Sequence, residues 1–120
     1  MKREEIIDKL RAHQEKLRSL GIKSMAIFGS AARDEITSES DVDILVEFEG
    51  QATFDGYMET KFFLEDLLNH PVDLVTPEAI RPRIQPQIEK EAIYVAGLPV
   101  NMGEKVQTNN RELQDRNLRL

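Results

Sequence analysis

The segment from Asp41 to Phe48 constrains the fold most, because its alternation of apolar and polar residues predicts a β-strand. One face of that strand is apolar, and its residues are Val42, Ile44, Val46 and Phe48. The opposite face holds Asp41, Asp43 and Leu45. The strand therefore carries two carboxylates side by side at its start.

A helix and another strand are predicted directly after it. The helix has an apolar stripe and ends at Asn69-His70-Pro71; the stripe comprises Phe54, Tyr57, Met58, Phe62, Leu64 and Leu68. Val72 to Val75 follows as the strand. Because a strand-helix-strand unit usually makes its strands parallel through a right-handed crossover, we expect Asp73 close to Asp41 and Asp43 in an α/β domain.

The N-terminal part predicts a helix and a further strand. Apolar residues recur at helical spacing from Arg3 to Leu20, and Gly21 ends this helix. Ser24 to Phe28 is a short apolar run that fits a buried strand entering a tight turn at Gly29-Ser30.

The C-terminal part is less regular. Pro82 and Pro86 interrupt a helical pattern between Pro77 and Gly97, so we expect a short, broken helix leading into Ile93-Tyr94-Val95. We assign residues 1–100 to one folded domain and the polar residues 101–120 to a tail ordered on contact with a partner.

Charge and composition exclude several classes of function. Sixteen basic and 22 acidic residues give a net charge of -6, which disfavours tight attachment to nucleic acid. The absence of cysteine excludes thiolate metal sites and thiol nucleophiles. Charges interrupt every apolar step near the N-terminus, so we expect neither a signal peptide nor a membrane span, and a cytoplasmic location is the default.

The chemistry is expected where Gly29-Ser30 is followed, after ten residues, by Asp41-Val42-Asp43, in GSAARDEITSESDVD. Glycine lets backbone N–H groups approach a phosphate, and the Ser30 hydroxyl can hold a phosphate oxygen. Aspartates at i and i+2 of a strand repel each other unless a cation lies between them, and Mg²⁺ favours such oxygen ligands. With Asp73, three carboxylates can hold two metal ions for an in-line displacement.

The run GSAARDEITSESDVDILV resembles the signature of the minimal nucleotidyltransferase family, within the polymerase β-like superfamily. The resemblance continues through Val72-Asp73-Leu74-Val75 to Tyr94-Val95. It implies a small mixed sheet flanked by helices, with Gly29 and Ser30 at the phosphates of ATP and with Asp41 and Asp43 as ligands of Mg²⁺. Asp73 matches the third carboxylate, which activates the attacking hydroxyl and binds the second metal.

The resemblance also implies a partner. Proteins of this kind are similar to the antitoxin of a two-gene pair whose toxin is a helical HEPN ribonuclease. The expected activity is transfer of AMP from ATP to a tyrosine of that toxin, within a hetero-oligomer. Relatives that modify aminoglycosides carry an additional helical domain, for which this chain has no room.

Other interpretations stay open for the function and for single residues. The chain could neutralise its partner by binding alone, or adenylylate a small molecule. Asp41 and Asp43 could be idle turn residues, and Ser30 could merely cap the following helix. Arg33 is a candidate phosphate ligand, but an ion pair with Glu35 or Asp34 is the cheaper assumption.

Overall fold

A computed structural model describes residues 1–97 of the chain. Its elements in chain order are α1 (Arg3–Arg11), α2 (Gln14–Ser19), β1 (Ile22–Phe28), α3 (Gly29–Ala32), β2 (Val42–Phe48), α4 (Phe54–Leu68), β3 (Val72–Val75), α5 (Gln85–Glu91) and β4 (Ile93–Ala96). The four strands form one sheet in the order β3-β2-β1-β4. β2 and β3 are parallel, whereas β1 is antiparallel to both β2 and β4. The expectation of a small mixed sheet flanked by helices is confirmed.

The β2-α4-β3 unit has the predicted form. α4 begins after Thr53, whose hydroxyl oxygen accepts a hydrogen bond of 2.9 Å from the Gly56 N–H. It ends at Asn69, which adopts the left-handed conformation with φ 55°. The crossover returns the chain so that β3 lies parallel to β2, with Asp43 paired to Asp73.

The N-terminal region differs from the predicted single helix over Arg3 to Leu20. The helix is interrupted between α1 and α2, at Ala12 and His13, where the His13 N–H donates to the Leu10 carbonyl in a tighter turn. The interruption lets α1 pack against α3, α4 and β4 while α2 packs against β1. Periodicity did not reveal the break, because Leu10 and Leu17 are both buried on either side of it.

The two faces of the sheet are covered unequally. The helix-covered face carries a large buried apolar cluster, to which β2 contributes Val42, Ile44 and Val46 and α4 contributes Leu64 and Leu68. The opposite side, here called the open face, has a smaller buried cluster of Ala26, Leu45, Ile80 and Ile88. Because side chains alternate along β2, Asp43 lies on the same face as Leu45.

The segment after β3 consists of short helical turns with breaks between them, as its prolines predict. Two 3₁₀ turns, Pro77–Ala79 and Pro82–Ile84, precede α5, which begins at Gln85 and has a proline in its first turn. α5 then leads into β4 through Ala92. The predicted tail at 101–120, and the end of the domain at residue 100, lie outside the described residues.

The stripe predicted for α4 is wrong at two positions. Phe54 is 77% exposed and Phe62 is 59% exposed, whereas Leu64 and Leu68 are fully buried. Helical spacing places apolar residues around more of α4 than the sheet can cover, so these rings remain at the surface. Among residues 1–97, no helix is long and apolar enough to cross a lipid bilayer.

Candidate active site

The parallel register of β2 and β3 brings two of the predicted carboxylates together. Asp43 and Asp73 are direct partners across the two strands, and the Asp73 carboxyl group is near enough to raise the pKa of Asp43. Asp41 immediately precedes β2 and is exposed, yet its charge still acts on Asp43. The fold therefore places Asp73 beside Asp43, whereas Asp41 acts on Asp43 only through its charge.

The electrostatics of this cluster are unfavourable for Asp43. Burial, followed by the charges of Asp73 and Asp41, raises the pKa of its carboxyl group from 3.8 to about 6. The nearby Arg33 lowers the pKa, but by less. Near neutral pH the site thus concentrates negative charge that a bound cation would relieve.

Gly29 is needed beside this cluster for two structural reasons. Its φ is +63°, in the left-handed region that favours glycine. A Cβ atom at this position would also collide with Oδ2 of Asp43. The missing side chain therefore makes room for a carboxylate, which adds to the phosphate approach that the sequence predicts for this residue.

Ser30 lies in the first turn of α3, directly after Gly29. Phe28 is the N-cap residue and no side chain caps the helix, so the capping role considered for Ser30 is not realised. The Ser30 hydroxyl makes no hydrogen bond to any other residue in the part of the chain that the structure describes. It is thus available to the phosphate that the sequence predicts.

Arg33 forms the ion pair that was expected with Glu35, but none with Asp34. Its Nε lies 2.9 Å from Glu35 Oε1, and its Nη1 lies 3.0 Å from Glu91 Oε1. Asp34 instead accepts a hydrogen bond of 2.8 Å from the backbone N–H of Arg3. These bonds use two of the five guanidinium N–H groups, so contact with a phosphate stays a prediction that the geometry permits.

Glu91 is the residue of this site that the sequence did not reveal. It is the last residue of α5, and its carboxylate accepts a hydrogen bond of 2.8 Å from the Gly29 N–H in addition to pairing with Arg33. Glu91 lies 62 positions from Gly29 along the chain, so no local pattern could connect them. Its place in a mostly polar helix is typical of a solvated residue.

The carboxylates fit a hard cation in chemistry, although they do not form a finished cage. No group of three acidic or histidine side chains within residues 1–97 has the arrangement of a metal site. Asp43 and Asp73 are neighbours across β2 and β3, whereas Asp41 acts on Asp43 from the exposed position before β2. A metal ion would have to draw Asp41 inward, and its attraction for the three carboxylates would have to outweigh their mutual repulsion.

The family follows from comparison with known proteins. The family model described as a nucleotidyltransferase domain matches residues 7–95. The chain belongs to the nucleotidyltransferase family. The match spans every element that builds the carboxylate cluster, from the middle of α1 into β4.

Relatives named as protein adenylyltransferases match this nucleotidyltransferase over nearly their whole length. Protein adenylyltransferase MntA of Thermococcus cleftensis is 39% identical over 93 residues, which cover 77% of this chain and 94% of that protein. A Methanocaldococcus jannaschii protein, provisionally named a protein adenylyltransferase, is 47% identical over 93 residues, covering 76% and 95%. The expected family and enzyme class, a transferase of nucleotidyl groups, are confirmed.

Solved structures agree on the fold. A provisionally assigned minimal nucleotidyltransferase superposes with a TM-score of 0.68 at 34% identity, covering 78% of this chain and 95% of that one. A toxin-antitoxin complex with AMP-PNP gives a TM-score of 0.62 at 21% identity, covering 78% and 77%. A tri-AMPylated Shewanella oneidensis HEPN toxin in complex with its MNT antitoxin gives 0.56 at 20%, covering 77% and 73%.

Proposed function

We propose that this nucleotidyltransferase is an antitoxin that transfers AMP from ATP to a tyrosine of a HEPN ribonuclease toxin and thereby neutralises it. The class of reaction is supported by the relative named protein adenylyltransferase MntA. The partner is suggested by the AMPylated HEPN toxin complex, whose antitoxin has the same fold. The net charge of -6 argues against nucleic acid as a direct partner, and the cytoplasm is the compartment expected for such a pair.

The observation that carries the proposal is the contact between the carboxylates and the Gly29-Ser30 turn. Asp43 fills the space that a side chain at position 29 would need, and Asp73 lies beside Asp43 on the neighbouring strand. A phosphate at the Ser30 hydroxyl would therefore lie next to the acidic cluster. Nucleotidyl transfer requires this proximity of a triphosphate to metal-binding carboxylates.

The proposed reaction is a substitution at the α-phosphorus of ATP. The tyrosine oxygen forms a bond to this phosphorus as the bond to the bridging oxygen of the β-phosphate breaks, so pyrophosphate leaves. Asp73 takes the phenolic proton, because it is exposed and lies beside Asp43 where an acceptor hydroxyl can approach. The backbone turn and Arg33 hold the triphosphate.

Two Mg²⁺ ions are the cofactors that fit the acidic cluster. Asp41 and Asp43 would be ligands of the ion that orients the triphosphate, and Asp73 would bind the second ion. When bound, the ions neutralise the triphosphate and favour ionisation of the acceptor hydroxyl. The elevated pKa of Asp43 supports this assignment, because a cation would offset both the burial and the charge repulsion that raise it.

The proposal is tested with purified protein, MgCl₂, α-labelled ATP and the HEPN protein encoded beside its gene. We expect label on a toxin tyrosine, and we expect the Asp41→Asn/Asp43→Asn double variant to lose at least about 100-fold of the rate. Asp66→Asn, a charge removal on the exposed side of α4, is the control and should leave the rate unchanged.

Protection of cells from the toxin distinguishes catalysis from binding. If the double variant labels nothing but still neutralises the toxin at equal expression, the antitoxin acts by stoichiometric binding. If wild-type protein labels an antibiotic and no protein, the acceptor is a small molecule. Either result would refute the proposed function.

A further inference from the structure

Glu91 joins two parts of the site that are separate along the chain. Oε2 accepts a hydrogen bond of 2.8 Å from the Gly29 N–H, and Oε1 lies 3.0 Å from Arg33 Nη1. Each carboxylate oxygen therefore has its own donor. The side chain of Glu91 is 17% exposed, compared with 60% for Glu35, the other partner of Arg33.

Both groups that Glu91 holds are adjacent to Asp43. Gly29 is close enough that a Cβ atom there would overlap the Asp43 carboxylate, and the charge of Arg33 acts on the same carboxylate. A displacement of the turn or of Arg33 would thus change their position relative to Asp43. Glu91 itself touches neither Asp43 nor Asp73 through any hydrogen bond recorded within residues 1–97.

The location of Glu91 suits it to fix the turn rigidly. It is the last residue of α5, and only Ala92 separates it from β4. β4 is hydrogen-bonded to β1, the strand that leads into Gly29. Ile88, one turn earlier, is buried in the small cluster of the open face. The carboxylate is consequently held by a packed helix on one side and by the sheet on the other.

We propose that Glu91 is a positioning residue for the nucleotide: it fixes the Gly29-Ser30 turn and orients Arg33 so that both meet the triphosphate next to Asp43. This inference rests on the proposed function, which assigns the nucleotide to that turn. Glu91 leaves the Ser30 hydroxyl and the Nη2 group of Arg33 available for phosphate oxygens. Its contribution is expected in nucleotide binding more than in the chemical step.

The hydrogen bond between Glu91 and Gly29 could also have the opposite effect, if the carboxylate occupied the position of a phosphate. In that case the Glu91 carboxylate would occupy the Gly29 N–H in competition with the nucleotide, and its removal would strengthen nucleotide binding. The two roles predict opposite signs for the change in KM. Measurement of that sign decides between them.

The test compares Glu91→Ala, Glu91→Gln and wild-type protein in the AMP-transfer assay. Loss of charge-assisted hydrogen bonds predicts a KM for ATP raised about 10-fold in Glu91→Ala, with kcat changed by less than about 3-fold. Glu91→Gln should give an intermediate KM, because its amide oxygen can still accept from Gly29 whereas its NH₂ group cannot pair with Arg33. Unchanged or lowered KM in Glu91→Ala would refute the positioning role.

Two controls separate this role from general destabilisation. Glu89→Ala removes an exposed acid from the same helix and should leave KM unchanged. Glu35→Ala removes the other partner of Arg33 without touching Gly29, so its effect on KM should be smaller than that of Glu91→Ala. Thermal unfolding of each variant shows whether the fold is retained.

The outcome for Glu91 is distinguishable from that of the proposed function. If wild-type protein transfers AMP and the Glu91 variants behave like it, only the positioning role fails. If wild-type protein transfers no AMP, the proposed function fails. Hydrogen exchange of the Gly29 amide still reports on Glu91 then, since faster exchange in Glu91→Ala is required if Glu91 fixes the turn, and unchanged exchange overturns that role.

Discussion

The two faces of the sheet are built from the same strands but serve different ends. On the helix-covered face, β2 contributes Val42, Ile44 and Val46, all fully buried. On the open face the same strand contributes Asp43 and Leu45, with only a small apolar cluster beneath α5. Stability is therefore concentrated on one face, and the other accepts an unfavourable charge cluster where the chemistry is proposed.

The largest effect expected from this division is on the free energy of unfolding. Leu64→Ala on the helix-covered face should lower it by about 3 kcal/mol, because it leaves a cavity among fully buried neighbours. The rate of AMP transfer per folded molecule should stay near wild type. Denaturant unfolding and the labelling assay measure the two quantities.

Ile88→Ala is the matched change on the open face. It should cost less stability, about 2 kcal/mol, since its cluster is smaller, but it should reduce the rate of AMP transfer at subsaturating ATP, because α5 carries Glu91. A larger loss of rate in Leu64→Ala than in Ile88→Ala would contradict the division of roles between the faces.

A smaller effect is expected at the turn. Gly29→Ala must adopt φ +63° and also displace the Asp43 carboxylate, so we expect the rate to fall at least about 10-fold with a loss of stability of about 1 kcal/mol or more. Gly50→Ala is the control, because Gly50 has a similar φ of +69° and open space around its Cβ position. If both variants lose activity equally, backbone strain alone accounts for the effect.

The smallest effect concerns Asp43, whose replacement should raise the free energy of unfolding instead of lowering it. The pKa of Asp43 is about 6 in the folded protein, above the ordinary 3.8. Folding is therefore favoured when Asp43 is protonated, and the protein loses this stability as pH rises from about 4 through 6. Without added metal, Asp43→Asn should raise the free energy of unfolding at pH 7 by on the order of 1 kcal/mol, allowing for solvent screening. The same variant should be inactive.

The pH dependence provides the check. The gain from Asp43→Asn should shrink as pH falls from 7 towards 4, when wild-type Asp43 also becomes protonated, whereas Asp66→Asn should show no such trend. Denaturant titrations in EDTA at several pH values measure this difference. A gain that is constant with pH would mean that the charge of Asp43 is not its cause.

The sequence predicted the elements whose signals are local. The β2-α4-β3 unit is predicted by three local signals: the alternation along β2, the helix stop at Asn69 and the apolar run Val72 to Val75. The parallel pairing of its strands places Asp73 beside Asp43. The Gly29-Ser30 turn likewise follows from a strand that ends in glycine. The remaining features depend on packing between distant segments.

Three features escaped prediction for that reason. The break at Ala12 and His13 reflects two different packing partners, and the exposure of Phe54 reflects how much of α4 the sheet covers. Glu91 acquires its role only when α5 folds back onto the Gly29 turn, 62 positions away. The functional assignments of Gly29, Ser30, Arg33 and the three aspartates stay predictions, although the fold brings these residues to one area.

The register between β2 and β3 disfavours misfolded forms in which the two strands pair out of register. Asp43 pairs with Asp73 and Val42 pairs with Val72. A slip of one residue would turn Asp73 towards the apolar layer under α4 and push a valine outward, at a steep cost in free energy. Chains in which these strands pair out of register are therefore too unstable to persist. The native register of the sheet also brings Asp43 and Asp73 together.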